Sequence, residues 1–349
     1  MFRPCLAALV LLLAGCGTKA VSLPSAPLVA GQNPLVHLPR DQGNHPHDAN
    51  EWWYVVGHLR AGTHSFGYEV TIFRLSHLNL PSESGPGITL YRTDLAITDE
   101  TAHRFYHTIQ YHFPGSGTFT TGRLGVHVGP AGLSGSLGAM TVTAALPSGA
   151  LHLTLASRRP AMAVGGRGYL SFGNGFTYYY SLTDLATGGI LRLKGHVYHV
   201  TGISWLDHQW GNWSWRAIRG WTWMALQLSD GTQLSVFDFR GQVHVLAASV
   251  LQGTHVRTVH DVRFTSLGSW RSPTDGAVYP IDQRVQIPSL RADLRVIPTV
   301  ADQEMALPSQ PVGSYWEGSG RVSGTFRGRA VTGYSYTELT GYTHGTPAP

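Results

Sequence analysis

Cysteine is almost missing from this chain. Its 349 residues hold two, Cys5 and Cys16, both near the N-terminus. That excludes a disulfide scaffold, a thiolate zinc cage and a cysteine nucleophile in any folded body. Charge is sparse as well. Charged residues make up 13% and hydrophobic ones 42%, a balance opposite to that of disordered chains. Lys and Arg form no run, and the net charge of +5 is spread over the whole length, so no nucleic-acid partner is expected. No apolar stretch reaches the roughly 18 residues that a membrane-spanning helix needs. Glycine is abundant but has no G-X-Y period, which excludes collagen. G-x-S-x-G and H-E-x-x-H are both absent, so neither a serine-hydrolase elbow nor a zinc-protease helix is signalled. The histidines scatter, and no metal or cofactor is expected.

What is present begins at the N-terminus. Arg3 precedes a short apolar run, Leu6 to Leu13, and Leu13-Ala14-Gly15-Cys16 follows as a lipobox. The expectation is a signal peptide over 1–15, a lipidated Cys16, and a flexible tether over 16–45 rich in Pro, Gly and Ala. Gly17 rather than Asp follows Cys16. The expected location is therefore a bacterial membrane, outer rather than inner, with the body facing the periplasm and the membrane partner reached through the N-terminal lipid.

The body reads as all-β. Aromatic and β-branched segments alternate with glycine turns, and no helix longer than about two turns is evident. Two stretches align at an offset of 169, pairing Trp52 with Trp221, Tyr54 with Trp223, Gly62 with Gly231 and Glu69 with Asp238. Both read as hairpins. A second match, at an offset of 154, sets Tyr180-Ser181-Leu182-Thr183-Asp184-Leu185 beside Tyr334-Ser335-Tyr336-Thr337-Glu338-Leu339. Together they suggest tandem β domains, over 46–200 and, with a junction segment, 201–345.

Three segments set polar groups among aromatic rings: His45 to Tyr54, Trp205 to Trp213, and Phe237-Asp238-Phe239. Acids beside buried rings must be paired or protonated. Asp238 shares a strand face with Leu234 and Val236, while Phe237 and Phe239 take the other. It is either a paired structural carboxylate or an acid tuned for proton transfer. Asp207 and His208 are adjacent, so on a strand they point to opposite faces. Glu51 opens the Trp52-Trp53-Tyr54 strand and could equally be salt-bridged to an Arg.

At these same segments the chain resembles a known family. Asn50-Glu51-Trp52-Trp53-Tyr54, Trp205-x-Asp207-His208-x-Trp210-Gly211, Gly220-Trp221-x-Trp223 and Tyr315-Trp316-Glu317-Gly318 look like the AttH-like secreted hydrolases, relatives of carotenoid 1,2-hydratase. The resemblance implies two tandem lipocalin-like β-barrels with a pocket near their junction. It also implies catalytic roles for His208, Trp210 and Asp238, although Val236 stands where the hydratases carry a Tyr. Glu51, Trp53, Tyr54, Asp207, Trp213, Trp221 and Trp223 become candidate substrate contacts. The expected partner is a hydrophobic small molecule, isoprenoid- or lipid-like. It would be acted on by acid-catalysed hydration of a C=C bond, or in the alternative only carried, as by a lipid-handling lipoprotein tied to an export system.

Overall fold

The computed structural model describes residues 28–78, 88–172, 175–307 and 314–342. The expected signal peptide, Cys16 and residues 17–27 of the expected tether lie outside the described residues; residues 28–45 lie inside them, where Val29–Ala30 pairs into the first sheet and Asp41 and Gln42 are buried. Within them the chain is all-β. Its only helical pieces are four three-residue 3₁₀ turns. The strands form two sheets, of fourteen and ten strands among the described residues. Nine of them position the site: β1 (Asn50–Ala61), β2 (His64–Leu78), β3 (Ile88–Asp99), β4 (Gly175–Leu193), β5 (His196–Asn212), β6 (Ile218–Leu228), β7 (Gln233–Gly241), β8 (Tyr315–Phe326) and β9 (Arg329–Leu339). In the first sheet β3, β2, β1, β5 and β4 lie side by side; in the second, β7, β6, β9 and β8 do. The boundary expected between residues 200 and 201 falls inside β5, whose whole length pairs with β4. The Trp205–Trp210 segment could not leave the first sheet without breaking its ladder to β1.

Strand alternation explains how two curled sheets make the three largest cores. On β1, Trp53, Val55 and Leu59 enter the interior of the first sheet. On β6, Met224, Leu226 and Leu228 enter that of the second. The intervening residues point the other way. Tyr54 and Val56 from β1 meet Trp223 and Ala225 from β6 in a third cluster, joined by Tyr179, Trp205, Phe237 and Tyr336. The two sheets thus pack back to back through aromatic side chains. Each such ring buries roughly 150–250 Å², worth several kcal/mol at about 25 cal/mol/Å². Both faces of β1 are apolar for this reason, and the same holds for β6.

The two sheets repeat one strand order, but the sequence marks of that repeat need correcting. β2-β1-β5-β4 of the first sheet corresponds to β7-β6-β9-β8 of the second. The match at offset 154 aligns β4 with β9, which are not equivalent strands. The hairpin match also slips. Ala61 pairs with His64 across a two-residue turn, whereas Gln227 pairs with Gln233 across five residues. The second hairpin turns three residues early, and an odd slip sends side chains to the opposite face. Glu69 pairs with Val56, whose counterpart Ala225 pairs with Ser235. Ser235, not Asp238, therefore occupies the place of Glu69. The true relation lies elsewhere. Tyr54 pairs with Asp207, and its counterpart Trp223 pairs with Glu338. Ser204-Trp205-Leu206-Asp207 thus corresponds to Ser335-Tyr336-Thr337-Glu338.

Candidate functional site

Two polar clusters lie on opposite faces of β5, one behind each of two adjacent residues. His208 faces the interior of the first sheet. It pairs across the ladder with Trp53, and the Trp53 ring stacks on it at 4.6 Å. Its Nε2 is 3.0 Å from Glu51 Oε1 and its Nδ1 3.0 Å from the Asp41 carbonyl oxygen. His45 Nδ1 lies 2.8 Å from the same Glu51 oxygen, and the His45 ring stacks on Trp210 at 3.9 Å. Arg74 donates to Glu51 Oε2 at 3.1 Å. Burial alone would raise the Glu51 carboxyl. Hydrogen bonds from His208 and His45 and the charge of Arg74 outweigh it and hold the group at about 2. Burial pushes the His208 ring down. The His45 ring is pushed up, because Asp41 and Glu51 overcome its burial. The salt bridge weighed for Glu51 is present, with Arg74.

Asp207 faces the junction between the sheets. Trp205 Nε1 donates to its Oδ1 at 2.6 Å, and the Tyr179 hydroxyl donates to its Oδ2. Trp223 reaches across from the second sheet and donates to the Tyr179 oxygen at 3.1 Å. Tyr54 reaches the other way and donates to Glu317 Oε1 at 2.7 Å. Around Glu317 stand Glu69, Asp94 and Glu338, all on junction-facing positions. Arg92 pairs with Asp94 at 2.6 Å, and Tyr315 donates to Asp94 at 2.5 Å. One buried cation therefore serves several carboxyls. The rest favour their protonated forms, since an isolated buried carboxylate is costly.

The titration directions agree. Burial pushes Asp207 up to about 7, against the pull of hydrogen bonds from Tyr179 and Trp205. Burial pushes Glu338 up to about 7 as well, against a hydrogen bond from Trp221, with the Asp94 charge adding to the rise. Glu69 and Glu317 are raised as well, by burial and by the negative groups around them. The duplication-related pair, Asp207 and Glu338, is thus poised at neutrality in an aromatic surround. Glu69 Oε2, Glu317 Oε2 and the Tyr336 hydroxyl have no hydrogen-bond partner among the described residues. A cleft of about 280 Å³ opens at the edge of the junction, between Phe105 and His107 on one side and Thr274 and Glu304 on the other. Met305 and Tyr315 pack behind it, next to Asp94.

The structure does not bring Asp238 to His208 and Trp210. Asp238 sits on the interior face of the second sheet, opposite Thr222. Its carboxylate is ion-paired with Arg240 at 3.1 Å and hydrogen-bonded to His244 at 2.5 Å. Phe237 and Phe239 point away from it into the junction. The rings expected to surround this acid therefore lie on the other face of the strand, and its carboxylate is paired. His208 and Trp210 do lie together, with ring centroids 4.7 Å apart. Trp53 joins them, while Tyr54, Asp207 and Trp223 line the junction. Trp221 packs at its margin, and Trp213 packs on Trp52 at 5.4 Å. Asp94, Tyr179, Glu317 and Glu338 were not foreseen as site residues. The Ser-aromatic-x-acid repeat on β5 and β9 is the signal that carries the last of these.

The AttH-like family profile matches residues 29–342. The chain belongs to the AttH-like family. The crystal structure of an AttH protein from Nitrosomonas europaea is 29% identical, covers 91% of this chain and 100% of its own, and superposes with a TM-score of 0.76. Kievitone hydratase from Nectria haematococca shares 20% identity, 91% coverage of this chain, 97% of its own and a TM-score of 0.74. CghA with Sch210972 shares 12%, with coverages of 92% and 96% and a TM-score of 0.56. The last two show the fold. No curated protein matches the chain by sequence. The expected all-β, lipocalin-like AttH architecture is the one observed.

One consequence for this AttH-like chain is a pH-dependent stability. A carboxyl whose folded value is raised holds its proton while the unfolded chain releases it. The contribution of Asp207 and Glu338 then falls as pH rises from the unfolded value near 4 to the folded value near 7, and is flat above. Each of the two groups contributes on the order of 4 kcal/mol over that interval. Thermal melts at pH 5 and pH 8 should show the protein less stable at the higher pH. The variant Glu338→Gln should flatten the dependence.

Proposed function

We propose that this AttH-like protein is a hydratase-type enzyme working at the junction of its two sheets, on an apolar isoprenoid- or lipid-like molecule. One observation carries the reading: Asp207 and Glu338 are equivalent carboxyls, both near neutrality, among Tyr54, Trp205 and Trp223. Hydration of a C=C bond needs an acid to protonate carbon, aromatic faces to stabilise the cation, and a base to take a proton from the incoming water. A pair poised near 7 supplies a protonated and an ionised member at the same pH. The similarity in fold to kievitone hydratase supports the reaction class. Anchorage through Cys16, facing the periplasm, belongs to the same proposal and is supported by the lipobox.

The test uses prenylated and terpenoid alkenes in isotopically labelled water. Product should carry one labelled oxygen per molecule, with saturation kinetics. Saturable binding without label incorporation would instead favour the carrier reading, which Val236, in place of the hydratases' Tyr, also favours.

A further inference from the structure

We propose that His45, Glu51 and His208 form a divalent-cation site inside the first sheet, independent of the junction and suited to zinc. The three ligand atoms, His45 Nδ1, Glu51 Oε1 and His208 Nε2, lie within 4.8 Å of one another. Two nitrogens and one carboxylate oxygen, with a fourth position open, make a common zinc ligand set.

A count of donors carries the inference. His208 Nδ1 faces the Asp41 carbonyl, which only accepts, so Nδ1 bears the hydrogen. A neutral ring would then aim a lone pair from Nε2 at Glu51 Oε1, another lone pair, 3.0 Å away. His45 Nδ1 faces the same Glu51 oxygen at 2.8 Å, while its Nε2, 3.9 Å from Asp41 Oδ1, is beyond hydrogen-bond reach. Three ring nitrogens thus face acceptors, while two neutral imidazoles supply only two N–H groups. One extra proton would set an imidazolium 5.5 Å from the second ring, beside the buried Arg74 guanidinium. A divalent ion removes the conflict by binding all three lone pairs.

The surroundings fit ligands held in advance. The Asp41 carbonyl fixes the tautomer and plane of His208, as outer partners of metal-bound histidines do. Arg74 holds the second Glu51 oxygen, and Oε1, which accepts the His45 backbone N–H at 3.0 Å, keeps a lone pair to ligate. Trp53 and Trp210 hold the planes of the two rings. The His45 side chain is 21% exposed, so an ion can reach the site from the rim.

The experiment uses the full chain, stripped with chelator and titrated with Co²⁺ and then Zn²⁺. One Co²⁺ per chain should bind with the intense visible bands of a four-coordinate site, and Zn²⁺ should displace it and raise the melting temperature. His45→Gln, at the rim, should fold normally and bind more than about 100-fold more weakly, since loss of even an outer partner costs about 10–100-fold. His47→Gln, next to the cluster but outside it, should bind as wild type does. Absence of saturable Co²⁺ uptake by the wild-type chain would overturn the site. So would uptake that His45→Gln leaves unchanged, which would place the ion on surface histidines.

Discussion

Glu338→Gln and Asp207→Asn should each lower turnover by about 10²–10⁴-fold, the usual contribution of a positioned general acid or base. Both residues are fully buried, and both stand near 7 because burial disfavours the charged form. The amides keep size and much of the hydrogen bonding, so the fold should persist. Binding of an apolar ligand should change little, which places the loss in kcat and not in KM. The pH profile separates the two members. Wild type should show a narrow bell centred near 7, because one carboxyl must be protonated while the other is ionised. Removing the acid should abolish the limb that falls at high pH, and removing the base the limb that falls at low pH. Two variants with wild-type turnover would leave Asp207 and Glu338 as structural groups. Asp238→Asn offers the contrast. Its carboxylate is tied to Arg240 and His244, so the change should act on stability and leave turnover intact.

The fold was legible because its signals are local. Glycine turns, alternating apolar residues and the Trp52-Trp53-Tyr54 strand specify hairpins without reference to distant residues. The opposite orientation of Asp207 and His208 was legible too, because strand alternation alone dictates it. What the sequence hid was register. Glu69 and Asp238 align in sequence, yet a turn three residues earlier places them on opposite faces of equivalent hairpins. Only the ladders reveal that Glu338 is the counterpart of Asp207. The acids at the junction were hidden for a further reason. Asp94, Glu317 and Glu338 come from distant parts of the chain and become neighbours only when two sheets meet back to back. Asp238 attracted attention for its flanking Phe237 and Phe239, which on a strand face away from it.

Arg74→Met should destabilise the first sheet by about 3–5 kcal/mol, the cost of leaving a buried charge without its partner. The guanidinium is buried and makes four kinds of contact. It donates to Glu51 Oε2 at 3.1 Å, to the His45 and Asp48 carbonyls at 2.8 and 2.9 Å, and to Ser76 Oγ at 2.6 Å. Met fills much the same volume, so the loss is electrostatic and not one of packing. Glu51 is wholly buried and held at about 2, chiefly by His208 and His45, so at neutral pH it stays ionised with the Arg74 charge gone. The two carbonyls lose their donor as well, each costing about 1–3 kcal/mol if nothing replaces it. Chemical denaturation of chelator-treated protein should show the midpoint fall with little change in slope. Sign also matters. The native Glu51 value lies below the usual carboxylate range, so its stabilisation is present above pH 4 and lost as pH falls towards 2. In Arg74→Met that acid-side loss should shrink, since the group no longer gains as much from ionising. The pair Arg74→Met with Glu51→Gln should recover much of the stability, because it removes the stranded charge. A single Arg74→Met variant as stable as wild type would show that the two histidines alone suffice to hold Glu51.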